Sequence, residues 1–158
     1  MAEEQPRYVS VIGQSECDQE MAAMGEELGR LLAERGCIVV CGGMGGVMAA
    51  VARGVKSAGG VCIGILPTLE RTGADPDLTY SICTGMGHAR NLAVAASGDV
   101  VIALGGQWGT LSEIGLARSV GRRVVLLRSW GITPNEGKAE GVMRAESPLD
   151  AIRLAFFH

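Results

Sequence analysis

Long apolar runs are missing from this sequence: its apolar stretches are strand-sized and end in glycine or a charge, short of the roughly 18 to 20 residues a membrane-spanning helix requires. A membrane-embedded protein is therefore not expected. The opening MAEEQPRYVS is short and acidic, unlike the basic segment and apolar core of a secretory signal, which predicts a cytoplasmic location. A basic excess is missing as well. The formal net charge is −3, with Arg122-Arg123 as a local basic pair, so nucleic-acid partners are not expected.

The sequence also lacks cysteines at metal-ligand spacing. Cysteines 17, 37, 41, 62 and 83 are an odd set with no C-x-x-C pair and no downstream histidine cluster, which argues against a disulfide framework and predicts no metal site. Cys37, Cys41 and Cys62 fall in strand-like runs and read as small core hydrophobes. Lysine is scarce: Lys56 lies in a predicted helix and Lys138 in a polar loop. Neither is placed as the Schiff-base lysine of a pyridoxal phosphate enzyme.

What is present is glycine, 24 of 158 residues, about twice the usual share of roughly 7 per cent. It collects where apolar runs end, at 42–46, 59–60, 85–87 and 105–109. The runs themselves predict strands at 8–12, 38–40, 61–66, 80–83, 100–104 and 124–127. Helical spacing of Met21, Met24, Leu28, Leu31 and Leu32, closed by Arg35-Gly36, predicts the first helix. Further helices are expected at about 46–58, 87–97 and 110–120, and one opening on Ser147-Pro148. Segments 67–78 and 129–146 read as loops. The sum is an α/β, Rossmann-like doubly wound sheet, mostly parallel, of about six to seven strands with helices on both faces. Residues 1–158 are expected to form a single domain, a length that buries about two thirds of its unfolded surface.

In such a sheet, ligands bind beyond the carboxyl ends of the strands. Four junctions there stand out: Gly13-Gln14-Ser15; Gly42-Gly43-Met44-Gly45-Gly46; Thr84-Gly85 through Arg90-Asn91; and Gly105-Gly106-Gln107-Trp108-Gly109-Thr110 through Glu113. In the last, glycines let the backbone approach an anion while amides at a helix start point at it, and Thr110 adds a hydroxyl. Arg90 falls in the first turn of a predicted helix, where the dipole disfavours a cation, so an anionic ligand or an acid such as Glu113 is expected beside it. Glu113 has two readings. In Thr110-x-x-Glu113 it closes a capping box; beside a bound sugar phosphate it stabilises an oxocarbenium-like centre or activates water. Familiar alternatives fail: Gly109-Thr110 lacks the lysine of an ATP-binding Walker loop, and the first strand ends without the G-x-G-x-x-G spacing of an NAD site.

The run Gly87-His88-Ala89-Arg90-Asn91, then a helix, strand 100–104 and Gly105-Gly106-Gln107-Trp108-Gly109-Thr110-Leu111-Ser112-Glu113 resembles the Lonely Guy superfamily. That superfamily includes cytokinin-activating phosphoribohydrolases, molybdenum cofactor carrier proteins and proteins mislabelled as lysine decarboxylases. The resemblance runs from the first strand through Gly121-Arg122-Arg123-Val124. Arg90 and Glu113 match the arginine and glutamate of the phosphoribohydrolase motifs. Asn91 stands where those motifs carry lysine, Leu104 where they carry proline, and one extra residue separates the glycines; the stretch 84–91 looks more like the carrier branch. The resemblance implies binding of a phosphorylated small molecule, a nucleotide or pterin monophosphate, with no required cofactor. Phosphate, a nucleotide monophosphate or a molybdopterin-type ligand is the implied occupant, and a homodimer or tetramer the implied assembly. The alternative it implies is hydrolysis of nucleoside 5′-monophosphates to base and ribose 5-phosphate, with Arg90 and Glu113 catalytic.

Overall fold

In the computed structural model, residues 7–136 and 139–157 are described; Lys138 and the first six residues lie outside them. Seven strands, β1 (Tyr8–Gly13), β2 (Ile38–Cys41), β3 (Val61–Leu66), β4 (Tyr80–Cys83), β5 (Val100–Leu104), β6 (Arg123–Leu127) and β7 (Val142–Ala145), form one sheet. Its order is β4-β3-β2-β1-β5-β6-β7, and every neighbouring pair is parallel. Five helices complete the fold: α1 (Gln19–Glu34), α2 (Val47–Ser57), α3 (Arg90–Ser97), α4 (Trp108–Ser119) and α5 (Pro148–Phe156).

The sheet is covered on both faces, as the apolar strands require. On one side Leu28 and Leu32 of α1, Val51 and Val55 of α2 and Ile152 of α5 pack with Val9, Val11, Val39 and Ile102. On the other, Val94 and Ala95 of α3 and Ile114 and Ala117 of α4 pack with Ile12, Val40, Val101 and Ala103. All five residues of β5 are buried. The second face is narrower: two helices do not reach over β4, and Tyr80 and Ile82 stay exposed there.

Three expectations are corrected. Segment 142–145, read as loop, is edge strand β7; four residues that include Arg144, between Gly141 and Glu146, carry too little apolar signal to be recognised. The third helix starts at Arg90 rather than Gly87, because residues 87–89 form a 3₁₀ turn. The fourth starts at Trp108, two residues before Thr110.

Candidate functional site

The chain steps outward from β1 through β2 and β3 to β4, then α3 returns it across the sheet to β5, on the other side of β1. The carboxyl ends of β1 and β5 thus flank the topological switch point, where a crevice opens in this class of sheet. Gln14, just past β1, ties three junctions together. Its backbone carbonyl accepts from Val47 N at 3.1 Å and its side-chain Oε1 accepts from Gly106 N at 3.2 Å. Gly46 packs directly on the Gln14-Ser15 backbone with φ 68, a conformation and a closeness that leave no room for a Cβ.

Arg90 brings in the fourth junction. Although it opens α3, it is only 9% exposed, and its guanidinium lies over Gly42: a Cβ there would stand 2.9 Å from Nη2. Nη1 donates to Asn91 Oδ1, while Nε has no partner. Burial lowers the pKa of Arg90, against the attraction of Glu113 and Cys41, yet a guanidinium stays protonated at any physiological pH. The cation beneath this sheet edge is therefore permanent.

Glu113 answers the question its sequence left open. The N-cap of α4 is Gln107, Thr110 is the third helical residue, and Glu113 is the sixth. A capping box is geometrically impossible from there. The carboxyl is instead 9% exposed, and desolvation raises its pKa to about 7 against the opposing pull of Arg90. Among the described residues, no ion pair joins Arg90 to Glu113; they sense each other without contact. Thr110, 2% exposed, likewise has an unpartnered hydroxyl. Buried polar groups normally find partners within the protein or in what it binds.

The helix starts at this edge fall into two kinds. Asp18 Oδ1 accepts from Met21 N at α1, and Ser147 Oγ accepts from Asp150 N at α5. Helices α2, α3 and α4 have no side-chain cap and no acid in their first turn. In α4 this leaves the first-turn amides of Trp108, Gly109 and Thr110 as unshared donors backed by the helix dipole.

Not every predicted residue offers a donor. Thr84 spends its hydroxyl on Leu66 O, at 2.6 Å, and receives Met86 N. Gly85, at φ 63, packs on Leu69, so the pair shapes the turn ahead of Arg90. Met44 packs against the core edge. Conversely, Trp130 went unrecognised. It follows β6, at the same edge as the other junctions, but without the glycines that marked them. With Gly106, Gln107, Trp108 and Gly109 it lines an open cavity of about 510 Å³. Among the described residues no group of three or more His, Cys, Asp or Glu could hold a metal ion, and no helix is long and apolar enough to cross a membrane.

Comparison with known proteins places this geometry in context. The model of the SLOG cluster4 family matches residues 6–152. The molybdenum cofactor binding protein of Rippkaea orientalis superposes with a TM-score of 0.85 at 32% identity, covering 96% of each chain. The Moco carrier protein of Chlamydomonas reinhardtii gives 0.83 at 31% identity, covering 95% of each. A probable cytokinin riboside 5′-monophosphate phosphoribohydrolase of Oryza sativa is 37% identical over 135 residues, 82% of this chain and 54% of that protein. The chain thus matches only about half the length of that relative.

Proposed function

The chain belongs to the SLOG cluster4 family, within the Lonely Guy and molybdenum cofactor carrier-like superfamily, and we propose that it is a carrier-like binder of a phosphorylated small molecule, a nucleotide or pterin monophosphate. The observation that carries this reading is that the three buried, unpartnered polar atoms among the described residues, Arg90 Nε, Thr110 Oγ1 and Ser129 Oγ just past β6, lie at an edge where α4 begins without a cap. Phosphate oxygens are the acceptors that Arg90, the Thr110 hydroxyl and the amides of 108–110 would share. Residues 13–15, 42–46, 84–85, 91 and 105–107 form the surrounding walls in this proposal. The names of the structural neighbours favour a molybdopterin-type cargo, the rice relative a nucleotide.

A second reading rests on Glu113. Freed from capping and poised near neutrality, it is suited to general acid–base work at C1′ of a nucleoside 5′-monophosphate. Water would add at C1′ as the N-glycosidic bond breaks, the base leaving with a proton and ribose 5-phosphate remaining. One experiment separates the two: AMP and related monophosphates are incubated with the protein while melting temperature and free base are followed. Carrier behaviour gives stabilisation without base release, about 2.7 kcal/mol at a hundredfold excess over Kd, and Arg90→Ala removes most of it. Base release abolished by Glu113→Ala establishes the hydrolase. Absence of both responses would falsify both readings.

The proposal extends to a cytoplasmic single-domain protein without nucleic-acid partners that forms a homodimer or tetramer. Of the small residues Ala93, Val94, Ala95 and Ala96 on α3, which would suit such an interface, Val94 and Ala95 are turned into the core. Support shifts to the incompletely covered sheet face, where Tyr8, Ile63, Ile65 and Ile82 line an apolar groove; a patch of this kind commonly marks a contact surface. Sedimentation at micromolar concentration is expected to give a dimer or larger, and a monomer overturns this part.

A further inference from the structure

Both tryptophans of the chain stand together at one place. Trp108, the first residue of α4, is 76% exposed, an unusual state for the largest apolar side chain. Its ring meets Trp130 with centroids 4.9 Å apart and planes tilted 41°. Trp130 is fixed from below. Its Nε1 donates to Gln107 O at 3.0 Å, and Gly106 lets it lie against the backbone, since a Cβ there would be 3.1 Å from Cδ1 and Nε1. The result is an anchored indole supporting a second one that turns its ring to the cavity of about 510 Å³, a size suited to a small ligand.

We propose that the Trp108–Trp130 pair is a stacking subsite for the planar fused nitrogen heterocycle, purine or pterin, of the ligand whose phosphate the α4 start receives. This rests on the phosphate-binding reading and adds what backbone amides cannot supply, recognition of the ring. Trp108 serves both ends: its amide faces the anion as part of the helix start, and its side chain offers a π-face to a heterocycle on the same molecule. Stacking accepts any flat ring, so the pair sets ring against no ring; Gln107, whose side chain makes no capping bond, lines the same cavity.

Because the two tryptophans are the only ones in the chain, fluorescence excited selectively at tryptophan, apart from Tyr8 and Tyr80, reports on this subsite alone. Affinities for AMP, GMP and 6-hydroxymethylpterin monophosphate are measured by calorimetry beside ribose 5-phosphate, which has the phosphate but no ring, and fluorescence is followed for the two purines. At least one ring-bearing ligand is expected to bind about tenfold more tightly than ribose 5-phosphate, the increment typical of one aromatic stack. Purine binding is expected to quench the emission. Trp108→Ala should remove the tenfold advantage, so that the ring-bearing ligands and ribose 5-phosphate bind alike, and Trp108→Phe should keep most of it. Equal affinities with and without a ring, or an advantage untouched by Trp108→Ala, overturn the subsite and leave the phosphate site standing. A Trp108→Ala variant that changes sedimentation but not ligand affinity assigns the face to contact between copies, which also overturns it. If no ligand of either kind binds, the phosphate reading fails with it.

Discussion

Two helix starts at the carboxyl edge of the sheet are finished by their own side chains, and three are not. Asp18 and Ser147 close α1 and α5, each with an acid in the first turn, Glu20 and Asp150. Helices α2, α3 and α4 have neither cap nor acid, and α3 opens on a buried arginine. A capped start is electrostatically complete; of the open ones, α2 gives its Val47 amide to Gln14 O and α3 gives its Arg90 amide to the 3₁₀ turn before it, so α4 is the start that keeps its donors for something else. Open α4 follows β5 at the switch point and α3 carries Arg90 to it, whereas capped α1 follows β1, so it is the start of α4, rather than open starts as a class, that marks the proposed site.

The acids on the two sides titrate in opposite directions. At half-buried Asp150, hydrogen bonds from Arg153 and from the Glu146 backbone lower the pKa; at Glu113, desolvation raises it to about 7 from an ordinary 4.5. Between those two values the folded state holds a proton that the unfolded state has lost. Glu113 therefore contributes stability at low pH that fades as pH rises through 7. Glu113→Gln should abolish a pH-dependent loss on the order of 3 kcal/mol between pH 4.5 and 8. Denaturant titrations at several pH values check it, and parallel wild-type and variant curves would contradict the burial of this carboxyl.

Smaller effects sharpen the contrast at the helix starts. Asp18→Ala and Ser147→Ala should each cost about 1 kcal/mol and leave monophosphate-dependent stabilisation intact. Gln107→Asp tests the reverse by giving α4 the cap it lacks. It should stabilise the unliganded protein by about 0.5 to 1 kcal/mol while sharply weakening monophosphate binding, since the carboxylate occupies the amides and repels the anion. Undiminished binding in that variant would show that the open start of α4 is not where the phosphate goes.

The same division explains what the sequence disclosed. Ser147-Pro148 marked α5 correctly because a capped start writes its signal in side chains. The start of α4 was misplaced to Thr110, a good capping residue that in fact sits inside the helix; an open start has no such marker. Strand ends were readable because apolar runs stop abruptly at glycine, as at Leu104-Gly105. Trp130 was not, because its partnership with Trp108 spans 22 residues and depends on how the segment after β6 folds back. The approach of Arg90 to Gly42 and to Glu113 is likewise a product of the α3 crossover, invisible to local pattern.

That crossover also sets when the site can exist. Gln14 and Gly106 are 92 residues apart, and Gly13 pairs with Leu104 only once β5 has docked beside β1. Such distant parallel pairing demands large loop closure before any contact rewards it. A fragment that ends before β5 lacks Gly106 and Glu113 and cannot bring Gln14, Gly42, Arg90 and Glu113 into one place. On the proposed reading, ligand binding therefore needs the chain at least as far as α4, and a bound ligand would act chiefly as a brake on unfolding.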